Sequence, residues 1–132
     1  METVATHILL ELHGVRPALL DDVAALKSAL LDAARAARTT PLHVAEHKFE
    51  PQGASVVVLV AESHLSIHTW PELGYAAVDI FTCGAALPVH GVAPILQALK
   101  PERHELKEIP RGPRAAPPVQ TPVAGQKSKV PA

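Results

Sequence analysis

The sequence predicts an α+β fold, a two-layer sandwich in which a mainly antiparallel sheet carries two helices on one face. Three observations lead there. Short apolar runs dominate the chain, the breaks between them are tight Pro and Gly turns, and only two stretches suit helices. The 132 residues, 48% of them hydrophobic, are enough for one domain.

The first element, Thr6-His7-Ile8-Leu9-Leu10-Glu11-Leu12, is short and closed by Gly14, which suits a strand. Pro17 opens a helix along which Leu19, Val23, Leu26, Leu30 and Ala34 recur at spacings of three and four. Asp21 and Asp22 near its start and Arg35 and Arg38 near its end match the helix dipole, and Pro41 stops it. Extended segments follow at 42–50, 54–61, 64–70 and 75–82, separated by turns at Pro51-Gln52-Gly53 and at Pro71 to Gly74. A short helix over 91–99 and a strand near 103–109 complete the domain, assigned to residues 1–109. The run Val56-Val57-Val58-Leu59-Val60 lacks polar alternation, so both of its faces are expected to be buried. Two helices cover one sheet face only. A second copy is the simplest cover for the other, giving a helix-sheet-sheet-helix homodimer.

Residues 110–132 hold six prolines, four basic residues and no acidic ones, and read as a disordered Pro-rich basic tail, either inert or docking to an acidic partner. A net charge of -1 gives no support for a nucleic-acid partner or an anionic membrane. With one cysteine, no signal-peptide pattern and no run of about 18 apolar residues, a cytoplasmic protein is expected.

Eight histidines invite a metal hypothesis, with His43 and His47, and His64 and His68, spaced by four. Such a pair shares one ion on a helix, but on a strand its members stand about 13 Å apart. Both pairs fall in predicted strands and the lone Cys83 forms no CxxC motif, so no metal site is expected. The stretch Glu62-Ser63-His64-Leu65-Ser66-Ile67-His68-Thr69-Trp70-Pro71-Glu72 concentrates hydroxyls, imidazoles and carboxylates behind the most hydrophobic strand. It contains neither GxSxG nor GxGxxG. Taken alone, it also reads as an ordinary strand with His64, Ser66 and His68 facing one way and Leu65 and Ile67 filling the core.

Extended to Gly84 through Leu73-Gly74-Tyr75-Ala76-Ala77-Val78-Asp79-Ile80-Phe81-Thr82-Cys83-Gly84, this run resembles the signature of the prokaryotic S-adenosylmethionine decarboxylase proenzymes. His47-Lys48-Phe49 with Pro51-Gln52-Gly53, and Leu10-Glu11-Leu12-His13-Gly14, carry the resemblance further, over about residues 5–109. It implies self-processing. The Ser63 hydroxyl would attack the Glu62 carbonyl, and elimination from the resulting ester would cut the chain between Glu62 and Ser63, leaving a covalent pyruvoyl group in place of Ser63. By the same resemblance His68 would be the processing base and Ser55 would support the intermediate. His68 suits that task because an imidazole titrates near neutral pH.

The implied cofactor is internal, with no pyridoxal phosphate and no metal. A ketone can form a Schiff base with a substrate amine and accept electrons as carbon dioxide leaves. Cys83 matches the family's proton donor, a thiol largely protonated at neutral pH. The implied substrate is S-adenosylmethionine, its adenine stacking on Phe49 and His68 and its ribose hydroxyls on Glu72, and the product is the aminopropyl donor for spermidine synthesis. Ala85-Ala86-Leu87-Pro88-Val89-His90 departs from the family's acidic residues after the Cys-Gly, which leaves little reason for stimulation by a polyamine. Two alternatives remain: a pyruvoyl-dependent arginine or ornithine decarboxylase on the same fold, and a non-catalytic regulatory homologue. Strand parity would put Ser63 and His68 on opposite faces, so Glu62-Ser63 is expected in a turn or bulge.

Overall fold

A computed structural model describes residues 4–113. Six strands form one antiparallel sheet: β1 (Ala5–His13), β2 (Thr40–Lys48), β3 (Ala54–Ala61), β4 (Ser63–Trp70), β5 (Tyr75–Cys83) and β6 (Arg103–Arg111), in the order β2-β3-β4-β5-β1-β6. Helices α1 (Pro17–Leu20), α2 (Val23–Ala36) and α3 (Val92–Leu99) complete the core. Single-turn 3-10 helices at Pro71–Leu73 and Pro88–Gly91 join the remaining elements. The predicted two-layer class is the observed one.

Four expectations need correction. The helix opened by Pro17 is two helices, because Asp22 becomes the N-cap of α2 and accepts the Ala25 N–H at 3.1 Å. An aspartate that can cap competes with helix continuation, so the acidic pair divides the segment. Pro41 does not stop the helix, which ends at Ala36, but lies in β2. There it is tolerated because β2 is an edge strand, with a register shift beside the proline. The last strand runs to Arg111, two residues past the assigned boundary, with Pro110 on the other edge of the sheet. Of the predicted tail, residues 114–132 lie outside the described residues.

The fourth correction concerns β3. Val56, Val58 and Val60 are fully buried among the helices, but Val57 is half-buried and Leu59 is 49% exposed on the opposite face. Within one chain the apolar run therefore has one buried side. The open face also carries hydrogen-bonded polar pairs. His7 Nε2 lies 2.9 Å from Asp79 Oδ1, Ser66 Oγ donates to Asp79 Oδ2 at 3.2 Å, and the Tyr75 hydroxyl donates to Glu11. Arg111 Nη1 lies 3.1 Å from His7 Nδ1 and can only donate, so that nitrogen is an acceptor and the proton of a neutral His7 sits on Nε2, facing Asp79.

Candidate active site

Ser55 and His68 are directly opposite residues on β3 and β4. Both project to the open face of the sheet, and Ser55 Oγ lies 2.7 Å from His68 Nδ1. This contact fixes the imidazole and leaves Nε2 free to take or give a proton. The neighbouring Thr69 points the other way, where it anchors the end of the strand: its hydroxyl donates to the Leu20 carbonyl at 2.7 Å and accepts the Ala54 N–H at 2.9 Å.

The Ser55–His68 pair lines a cavity of about 390 Å3 together with Phe49, Gln52, Trp70 and Glu72. Four residues singled out in the sequence, Phe49, Ser55, His68 and Glu72, thus share one cavity. Phe49 is 46% exposed and leans edge-on against His47, with ring centroids 4.6 Å apart, so it is an accessible aromatic face instead of a core side chain. Its loop is held by Asp21, whose Oδ1 accepts the Gly53 N–H at 2.8 Å and pairs with Lys48 Nζ at 2.9 Å. These donors, first the Gly53 amide and then Lys48, hold the Asp21 carboxyl below its ordinary value. Gly53 has φ 100°, and a Cβ there would come within 3.1 Å of the Thr69 carbonyl oxygen, so the turn requires glycine.

Sequence reasoning missed three participants. Trp70, inside the signature, packs against Tyr75 in a tilted arrangement with ring centroids 5.3 Å apart and forms one wall. Gln52 was legible only as a turn residue. Asp21 reaches the loop across 32 positions of sequence, a contact that no local pattern signals.

At the other end of β4 stand Glu62, Ser63 and Cys83. Val60 pairs with Ser63, so Ala61 and Glu62 form the tight turn between β3 and β4; Glu62 lies in the expected turn, but Ser63 is already the first residue of β4. Ser63 adopts φ 145°, a value residues with side chains seldom take, which stores strain on the order of 1–3 kcal/mol. Cys83 Sγ lies 3.2 Å from the Glu62 carbonyl oxygen and 3.0 Å from Glu62 Oε1. The thiol is pushed up from its ordinary value, first by its hydrogen bond to Glu62, then by burial and by the Glu62 charge, while Ser63 acts in the opposite sense.

The structure brings together two groups of predicted residues but does not join them. Five positions of strand separate Ser63 from His68, about 16 Å at the usual rise per residue. Within one chain His68 therefore stands too far from Ser63 to take its α-proton directly. His43 and His47 lie along β2, and His64 and His68 along β4, in the extended spacing that keeps them apart. Among the described residues no three His, Cys, Asp or Glu side chains form a group that could hold a metal, and no helix is long and apolar enough to cross a membrane.

The fold defines a two-layer α+β protein with its candidate residues in two groups at the ends of β4. The family profile of S-adenosylmethionine decarboxylase matches residues 6–112. Two relatives called S-adenosylmethionine decarboxylase proenzyme illustrate the match. One, from Methanococcus maripaludis, is 47% identical over 113 residues, covering 85% of this chain and 93% of the relative. The other, from Caldanaerobacter subterraneus, is 49% identical, covering 85% and 91%. The crystal structure of the adenosylmethionine decarboxylase from Aquifex aeolicus superposes with a TM-score of 0.79 at 38% identity, over 85% of this chain and 93% of that one. The chain belongs to the S-adenosylmethionine decarboxylase family.

Proposed function

We propose that this protein is a self-processing, pyruvoyl-dependent S-adenosylmethionine decarboxylase that works as a homodimer, each active site drawing on both copies. Its product is the aminopropyl donor for spermidine synthesis. The observation that carries the reading is the division of the predicted residues between the two ends of β4, about 16 Å apart. Two copies packed open face to open face about a two-fold axis that crosses β4 between its ends would bring the Ser63 end of each β4 toward the His68 end of the other. The polar groups on that face already bond to one another, which lowers the cost of covering them.

In processing, the Cys83 S–H lies against the Glu62 carbonyl oxygen, where negative charge develops when the Ser63 hydroxyl attacks. Strain at Ser63 weakens the ground state of the same bond. The partner's Ser55–His68 pair supplies the base that removes the Ser63 α-proton, with Ser55 orienting the imidazole; the ester Cβ–O bond breaks, and water converts the resulting dehydroalanine to the pyruvoyl group with release of ammonia. Ser63 is present as the precursor, and its surroundings fit the pyruvoyl group, with a thiol beside the carbonyl to be attacked. Once formed, that group supplies an electron-withdrawing ketone for decarboxylation. Cys83 then returns a proton to carbon, Phe49 and His68 offer faces to adenine, and Glu72 accepts from the ribose hydroxyls. A cytoplasmic setting suits a lone cysteine that must remain a thiol.

The shared cavity of Phe49 and Glu72 favours the nucleoside substrate over arginine or ornithine, which would leave both residues unused. Intact mass of the purified protein tests the whole reading. Two fragments of 62 and 70 residues are expected, the second blocked to amino-terminal sequencing, and Ser63→Ala stays whole. A wild-type chain that remains uncut after long incubation supports the regulatory homologue instead. Cys83→Ala is expected to slow cleavage as well as turnover.

A further inference from the structure

The Cys83 thiol has two acceptors, and both belong to Glu62. The carbonyl contact at 3.2 Å serves the cleavage step proposed above. The carboxylate contact at 3.0 Å has no part in that step, since a negative charge there opposes a developing oxyanion. It needs another explanation. We propose that the Glu62 side-chain carboxylate is a positioning residue for decarboxylation, holding the hydrogen on the Cys83 sulfur so that the proton donor stays loaded until the substrate carbanion forms.

The chemistry of the donor makes this useful. A thiolate cannot give a proton, and active-site thiols ordinarily ionise when a cation or a helix N-terminus stands beside them. Here the closest charged partner is an anion. It accepts the S–H hydrogen and repels the thiolate, so both effects favour the protonated form, in agreement with the upward shift of this thiol. Toward the Cys83 end of the sheet, two histidines and an arginine gather around Phe81. His64 from β4, His7 from β1 and Arg111 from β6 lie 5.7, 5.3 and 5.3 Å from its ring centre, and Asp79 bonds to His7. None of them is among the groups that shift the thiol.

Cleavage strengthens the arrangement. Elimination breaks the Ser63 Cβ–O bond of the ester and sends its electron pair to Glu62, which leaves as a chain-terminal carboxylate. Where one residue carried one negative charge and a neutral carbonyl, it then carries two carboxylates. The Ser63 hydroxyl, the contact that acts in the opposite sense on the thiol, is consumed in the same event. Both changes move Cys83 toward the protonated form, so the cut that creates the electrophile also readies its proton donor.

The role in turnover rests on the function proposed above, but the coupling of the two side chains does not. The chain has a single cysteine, so alkylation by iodoacetamide reports Cys83 alone. In the uncleaved Ser63→Ala protein, Glu62→Gln keeps the shape and the acceptor but removes the charge. It is expected to alkylate severalfold faster at neutral pH, with its rate–pH curve displaced to lower pH. Glu62→Asp, which retains the charge, is expected to stay near the parent curve. Glu62 is exposed on a hairpin turn, so neither change threatens the fold. In cleaved enzyme, confirmed by mass, Glu62→Gln is expected to bring the alkaline fall of kcat to lower pH while KM holds. Superimposable alkylation curves overturn the coupling. Displaced alkylation curves with an unchanged kcat profile overturn the catalytic role. A parent chain that cleaves but shows no decarboxylation refutes the function reading and leaves the alkylation result standing.

Discussion

Ser55 Oγ and His68 Nδ1 face each other at 2.7 Å across the β3–β4 ladder, while Ser63, on the same strand as His68, is five residues away at the hairpin. A backbone this regular offers no way for His68 to fold back onto its own Ser63. In the proposed reaction the base and the bond to be cut are therefore supplied by different chains.

Mixing variants tests that geometry. Ser63→Ala and His68→Ala are each expected to remain uncut when expressed alone. Co-expressed, they form hybrid dimers in which an intact Ser63 from one chain meets an intact His68 from the other, so part of the His68→Ala chain is expected to be cleaved. Mass analysis of differently tagged chains reads this directly. Failure of hybrids to cleave, with dimers demonstrated by sedimentation, places both residues in one chain's site and removes the cross-subunit arrangement.

Substrate choice depends on the cavity wall. Phe49→Ala and Glu72→Gln are expected to raise KM for S-adenosylmethionine roughly tenfold or more, the loss of one stacking or charge-assisted contact of about 1.4 kcal/mol. A competition assay offering S-adenosylmethionine, arginine and ornithine decides the class, and preference for either amino acid overturns the nucleoside assignment. Putrescine is expected to have little effect, because Ala85 to His90 carries no acidic residue.

Asp21 gives the cavity a pH dependence whose sign is fixed by its partners. Its carboxyl, with an ordinary value of 3.8, is lowered in the folded protein. The stabilisation is therefore present above the unfolded value and is lost as pH falls through the folded one. Asp21→Asn is expected to remove that acid-side loss and to raise KM at neutral pH by loosening the Phe49–Gly53 loop. Thermal melts from pH 7 down to 3 check the first effect and steady-state kinetics the second. An unchanged KM would show that the loop holds its place without this anchor.

Thr69 joins β4 to α1 and β3 through a hydroxyl that is buried with its partners. Thr69→Val keeps the volume but leaves the Leu20 carbonyl and the Ala54 amide short of a partner, at a cost of about 1–3 kcal/mol. Urea unfolding of the uncleaved Ser63→Ala protein, with and without this change, measures it free of any effect on processing.

Much of the architecture was readable because the dominant signals were local. Gly14, Pro51 to Gly53 and Pro71 to Gly74 punctuate the strands, and the spacing of Leu26, Leu30 and Ala34 marks the buried side of α2. What escaped was non-local or depended on competition. Asp22 could be read as a dipole residue or a cap, and only the closed structure decides. The valine run looked two-sided because Val57 and Leu59 are apolar whatever covers them. Glu62, Ser63, His68, Glu72 and Cys83 were legible through the Glu62 to Gly84 signature and Phe49 through the His47-Lys48-Phe49 run, yet a list of residues carries no distances. Ser63 and His68 stand close in that signature because five residues is a short interval of sequence, although it is a long one on an extended strand.

The strand order also determines what a cut between Glu62 and Ser63 leaves behind. The amino-terminal piece owns β1, β2 and β3, and the carboxy-terminal piece owns β4, β5 and β6. In the sheet they are interleaved: β3 lies against β4, and β1 is threaded between β5 and β6. The broken bond sits in a turn, so three ladders still clasp the halves together. Separating them would require pulling a strand out from between two neighbours, so the proposed mature enzyme is two polypeptides locked into one sheet.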